Sequence, residues 1–196
     1  MIKESGYLND AMNVIFMGDS LIEYFDWQQR FPEHQVLNLG LSGETVQGLS
    51  GRVRRIIGTA TAPDVLFIMS GINNLAMDDF KILEEYERLL KSLRTAFPST
   101  LIVVQSILPV TMWTDNKNIE EINRKLKGIT KTLKLSFLDV YSHFVDAAGS
   151  PKTEYLLEDG VHLSDNGYEV WSKKVEDFLG HLLRKSSSSR SSSSKE

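Results

Sequence analysis

Val65-Leu66-Phe67-Ile68-Met69-Ser70-Gly71-Ile72-Asn73-Asn74 opens with five apolar residues in a row and then stops at a Ser-Gly pair and two carboxamides. A strand wet on one face would alternate apolar and polar side chains. A continuous run bounded by a turn signal fits a strand covered on both faces, as in a parallel sheet flanked by helices. The same pattern recurs outward from it, and predicts further strands at 13–17, 35–39, 101–105 and 136–139. Between them Leu83, Tyr86, Leu90, Leu93 and Phe97 recur at spacings of three and four, as do Ile119, Ile122, Leu126, Ile129 and Leu133. That is the buried stripe of an amphipathic helix. A last helix is predicted over 165–183, with Val170, Trp171, Val175, Phe178, Leu179 and Leu182 facing inward. The alternation predicts an α/β protein, a three-layer αβα sandwich around a five-stranded parallel sheet. Functional groups in such a sheet gather at the carboxyl ends of the strands.

Of the 196 residues 41% are apolar and 24% charged, the balance of one ordinary globular core without internal repeats. The 22 Lys and Arg against 26 Asp and Glu give a net charge of −4, which argues against a nucleic-acid partner because that calls for a basic stripe. The absence of Cys excludes disulfides, thiolate metal sites and a cysteine nucleophile. No apolar stretch approaches the roughly 18 residues of a membrane span, and the first residues lack a signal-peptide core. The expectation is therefore a cytoplasmic protein without stable membrane insertion. Residues 186–196, SSSSRSSSSKE, contain nothing apolar and are predicted to be a disordered tail. The domain is then 1–185, with a charge of −5 once the tail's two positive groups and one negative are removed.

Three predicted strands end in loops that combine glycine with a hydroxyl or carboxamide: Gly18-Asp19-Ser20-Leu21, then Gly40-Leu41-Ser42-Gly43-Glu44-Thr45, then Ser70-Gly71-Ile72-Asn73-Asn74. Glycine lets backbone approach a ligand closely, and the polar groups can act on it. Before the last helix, Asp159-Gly160-Val161-His162 can bring a carboxylate to imidazole Nδ1, leaving Nε2 to take a proton. Each motif alone is ordinary turn or cap chemistry. Together they offer a nucleophile, donors for an oxyanion and an oriented base, all on the predicted functional edge.

Over about residues 14–182 these blocks resemble the SGNH hydrolases, also called the GDSL family of esterases and lipases. Gly18-Asp19-Ser20-Leu21, Trp27, Phe31-Pro32, Val36-Leu37-Asn38, Gly43-Glu44-Thr45 and Arg52-Val53 are similar in order and spacing to the branch with platelet-activating-factor acetylhydrolase-like and lysophospholipase-like enzymes. The resemblance implies a flavodoxin-like SGNH hydrolase fold, Ser20 as nucleophile, Gly43 and Asn73 as oxyanion-hole members, and His162 with Asp159 as base and orienter. The broader family often has Asp after the oxyanion Asn and Pro after the catalytic His. Asn74 and Leu163 stand there instead, as in the acetylhydrolase-like branch. The chemistry expected is hydrolysis of a small-molecule acyl ester through an acyl-enzyme, with the backbone N–H of Ser20 as a third oxyanion donor and no metal or cofactor.

Other residues carry plainer expectations. Asp19 is read as a structural acceptor of backbone hydrogen bonds. His34 is read as a surface loop residue, His143 and His181 as surface or partly buried side chains, the three without ligand spacing, and Arg52, Arg54 and Arg55 as a solvated helix face. Leu21, Ile22, Tyr24 and Phe25 divide evenly between an acyl pocket and the core. Loop 107–118, with Pro109, Met112 and Trp113, either walls the substrate pocket or packs on the sheet end. Trp27 and Trp113 are the candidate substrate contacts. The acyl group expected is short or acetyl, on a small lipid or carbohydrate, with a longer-chain lysophospholipase or thioesterase as the rival. A noncatalytic binding module and a flavodoxin-like nucleotide binder are the readings outside this class. The second lacks a phosphate-binding glycine motif after any strand. Oligomeric state is left open.

Overall fold

Apolar runs without polar alternation place β1 (Asn13–Gly18), β3 (Val65–Met69) and β4 (Leu101–Gln105) in the middle of one sheet, buried along almost their whole lengths. The flanking strands β2 (Gln35–Gly40) and β5 (Ser136–Leu138) are half-covered. The computed structural model describes residues 11–59, 61–112 and 114–192. Its five strands are all parallel, in the order β2-β1-β3-β4-β5. β1 and β2 each run one residue past the predicted end. β5 stops one residue short, because Asp139 turns its carboxylate to the N–H of Ser142 at 3.1 Å.

Two short helices, α1 (Ser20–Glu23) and α2 (Trp27–Arg30), link β1 to β2. The chain then reverses direction across the sheet through α3 (Val46–Thr59) to β3, α4 (Ile72–Ala76) and α5 (Leu83–Ala96) to β4, and α6 (Asn116–Thr132) to β5. Right-handed crossovers put α3, α5 and α6 on one face and leave the other to α2 and the long α7 (Asp165–Ser192). On that second face Phe16 stacks on Trp27 at 4.0 Å and on Phe67 at 4.9 Å, while Trp27 meets Trp171 edge-on at 5.0 Å and Phe67 meets Phe178 at 5.9 Å. The reversal falls between β1 and β3, so their carboxyl ends open the crevice that this topology offers to a ligand.

Two expectations change here. His34 is buried, not on the surface: the chain after α2 folds back, with the N–H of His34 on Phe31 O at 3.1 Å, and Nδ1 accepts the N–H of Met12 at 3.4 Å. The backbone of α7 stays helical through Ser192, beyond the tail boundary at 185. Extending a helix already docked by its apolar stripe avoids the cost of nucleation, which composition alone does not register. Residues 193–196 lie outside the described residues.

Candidate active site

The turn from β1 into α1 is built by Asp19. Its Oδ1 accepts the N–H of Leu21 at 3.1 Å and its carbonyl accepts from Ile22 and Glu23 at 3.1 and 3.0 Å, so the first turn forms with Ser20 at its head. Such a cap contributes about 1 kcal/mol. Gly18 is required just before it, because a Cβ there would lie 1.9 Å from Met69 O on β3. Asp19 itself is fully buried. Burial, assisted by the negative charge of Glu44, pushes its carboxyl up from the ordinary 3.8 to about 7, against the Leu21 bond and the pull of His162.

Ser20 Oγ lies 3.0 Å from His162 Nε2, and His162 Nδ1 lies 2.7 Å from Asp159 Oδ2. The three-residue spacing is closed by a tight turn in which Asp159 Oδ1 accepts the backbone N–H groups of Val161 and His162, both at 2.9 Å. Burial raises the Asp159 carboxyl, but the bonds from His162 and these N–H groups outweigh it and hold the group below its ordinary value. With Nδ1–H donating to that carboxylate, Nε2 presents a lone pair to the serine hydroxyl. This arm is wet: the side chains of His162 and Asp159 are 30% and 47% exposed.

On the opposite side, Gly43 has φ +73°, left-handed backbone in the loop that carries Glu44 into α3. Asn73 Nδ2 donates to the carbonyl of Glu44 at 2.9 Å, which joins the β3 loop to the β2 loop next to Gly43. Leu41 N–H bonds Gly18 O at 3.0 Å, and Glu23 receives both the N–H of Ser42, at 2.7 Å, and its hydroxyl. The β2 loop is thus tied to the turn that bears Ser20. Asn74, one residue on, is wholly internal: Oδ1 accepts Val46 N–H at 2.9 Å, and Nδ2 donates to Gln47 Oε1 and Asp79 Oδ2 at 2.7 and 2.8 Å. The bond from Asn74, with help from Gln47, holds the Asp79 carboxyl below its ordinary value.

Two other expectations are revised. Trp27 is 0% exposed, with Nε1 donating to Ile22 O at 3.1 Å, and belongs to the aromatic core rather than to a substrate contact. Removing a side chain of this kind typically costs about 3–5 kcal/mol. Arg52 is no solvated helix residue: its guanidinium reaches Glu44 Oε1 and Oε2, each at 2.6 Å, and Leu39 O at 2.5 Å. Trp113 lies outside the described residues.

The acyl-pocket question also divides. Leu21 and Ile22 are buried and Phe25 stacks on Tyr168 at 4.7 Å, whereas Tyr24 is 60% exposed with its ring 5.3 Å from that of His162. In loop 107–118, Ile107, Leu108 and Val110 pack inward. Thr111 N–H then bonds Gly160 O at 2.9 Å, bringing exposed Met112 beside the Asp159–His162 turn. Tyr24 was legible only as one of four residues divided between an acyl pocket and the core, and nothing local distinguishes it from its buried neighbours.

Among the described residues no group of three or more His, Cys, Asp or Glu side chains is arranged to hold a metal ion, and no helix is long and apolar enough to cross a membrane. Residues 16–170 match the GDSL-like lipase/acylhydrolase family. The chain is 25% identical to platelet-activating factor acetylhydrolase IB subunit alpha2 of Rattus norvegicus over 179 residues, covering 87% of this chain and 77% of that one. A solved structure from Streptococcus pneumonia, described as a candidate platelet activating factor, is 28% identical, with TM-score 0.79 over 88% and 86% of the two chains. The fold is also that of a GDSL-like lipase from Bacteroides thetaiotaomicron, with TM-score 0.68 at 20% identity over 89% and 88% of the two chains. With a family match across most of its length and the fold of its relatives, the chain belongs to the GDSL-like lipase/acylhydrolase family and is a serine ester hydrolase acting on small-molecule esters.

Proposed function

We propose that Ser20 is the nucleophile, His162 the general base and Asp159 its orienter, and that the substrate carries a short, acetyl-type O-acyl group. The continuous path from Ser20 Oγ to Nε2 at 3.0 Å and from Nδ1 to Asp159 at 2.7 Å carries this reading. As Ser20 Oγ attacks the ester carbonyl carbon, Nε2 takes its proton, and Asp159 stabilises the imidazolium. Negative charge on the former carbonyl oxygen is met by the N–H groups of Ser20 and Gly43 and by the Asn73 amide. The imidazolium returns its proton to the departing alcohol. Water, deprotonated by the same imidazole, then attacks the acyl-enzyme to release the acid and free Ser20.

The acyl length is the finer part of this reading. The names of the curated relatives, as acetylhydrolases of platelet-activating factor, favour an acetyl ester of a small lipid. A longer chain is the second reading, because Tyr24, Leu41, Met77, Met112 and Leu157 are exposed apolar groups on the same loops. A series of p-nitrophenyl esters separates the two. The acetyl reading expects kcat/KM to fall at least about tenfold between two and eight carbons, and a rise over that range overturns it. A fluorophosphonate probe should label Ser20; folded protein without that adduct would be a binding module.

A further inference from the structure

We infer that the Glu44–Arg52 ion pair is a positioning device for the oxyanion donors, locking the peptide that carries Gly43 and holds Asn73. The inference rests on the reading of Gly43 and Asn73 as those donors. Arg52 lies eight residues beyond Glu44, on the second turn of α3, and its planar fork takes both carboxylate oxygens at 2.6 Å. The same guanidinium binds Leu39 O at 2.5 Å, so one cation ties the end of β2 to the start of α3, across the loop that contains Gly43. The side chains are 4% and 15% exposed, for Glu44 and Arg52, which protects the pair from the screening that makes surface pairs weak.

What the pair immobilises is a backbone with two consequences. The Glu44 carbonyl accepts from Asn73 Nδ2 at 2.9 Å, using one amide hydrogen and so fixing where the other points. The Glu44 N–H bonds Leu41 O at 3.1 Å, closing the turn that holds Gly43 at φ +73°. A donor aimed at a developing charge loses its advantage if it must reorganise during the reaction, so a loosened Glu44 peptide should cost transition-state stabilisation more than ground-state binding. Arg52 and Glu44 touch no reacting atom in this arrangement. They act through Gly43 and Asn73.

Glu44→Gln keeps the side-chain shape and removes the charge; Arg52→Lys keeps the charge and removes the fork. Expected for each is a kcat lowered about tenfold or more with KM within about twofold, and affinity for a trifluoromethyl ketone inhibitor weakened by the same factor as kcat. The double variant Glu44→Gln/Arg52→Met removes the buried charges together and should keep thermal stability near that of the parent while kcat stays low. Parental kcat in folded Glu44→Gln and Arg52→Lys overturns the inference, as does recovery of kcat in the double variant, which would reduce the pair to a stability element. Asn73→Ala, assayed beside them, separates the levels. If it is inactive while the Glu44 and Arg52 variants are not, only this inference falls; if it retains full activity, the donor assignment beneath it falls.

Discussion

The two arms that meet at Ser20 are built in opposite ways. The proposed base arm is local and wet: three residues separate Asp159 from His162, a single turn orients both, and their side chains face solvent. The proposed donor arm is long-range: its supports Glu44 and Asn74 are buried, while Asn73 is half-buried and Gly43 exposed. It joins the loops after β2 and β3 through Asn73, Asn74, Glu44 and Arg52, whose partners lie up to 29 residues away. Water can replace part of what Asp159 does, because it already has access. No solvent molecule reproduces the fixed direction of an amide anchored on the Glu44 carbonyl, so precision is concentrated on the donor side.

The largest effect should fall where the arms share an atom. Ser20→Ala and His162→Ala are each expected to lower kcat on p-nitrophenyl acetate by about 10⁴-fold or more with circular dichroism unchanged. Near-parental turnover in either would break the comparison at its hinge. On the donor arm, Asn73→Ala should cost about 10²- to 10³-fold in kcat. On the base arm, Asp159→Ala should cost less, about ten- to 100-fold, since water can receive Nδ1–H at an exposed position. A greater loss at Asp159 than at Asn73, measured under the same conditions, would reverse the contrast.

The smallest effects concern stability and separate the two carboxylates by sign. Asp159 has its folded value lowered, so its contribution is present above the unfolded value near 3.8 and is lost as pH falls through the lower folded value. Asp19 behaves oppositely. Its folded value near 7 exceeds the unfolded 3.8, so the folded chain retains a proton that the unfolded chain has released, and stability declines as pH rises from about 4 to about 7. Asp19→Asn should flatten that decline in urea unfolding at a series of pH values. An unchanged slope would mean that Asp19 does not hold a proton in that window.

Much of this was readable from residue order. The apolar runs at 13–17, 65–69 and 101–105 gave buried parallel strands because burial on both faces leaves no room for alternation. Ser20, Asp159 and His162 stood out because strand ends and a tight turn are local patterns. Trp27 and His34 were misread for the converse reason: whether a side chain after a short helix turns in or out depends on α7, more than a hundred residues away. The Glu44–Arg52 bond was equally hidden. Charged residues eight apart look like a helix face until the loop before α3 folds back over it.

The placement of β2 has a consequence for how the molecule fails. It is an edge strand, paired on one side only and half-covered, yet the loop that follows it supplies Gly43 and the carbonyl that holds Asn73. Edge segments open at lower free energy than central strands such as β3. Warming should therefore peel β2 from β1 and silence turnover while Ser20 and the central strands are still folded, so that inactivation precedes melting and amide exchange in 35–40 outpaces that in 65–69.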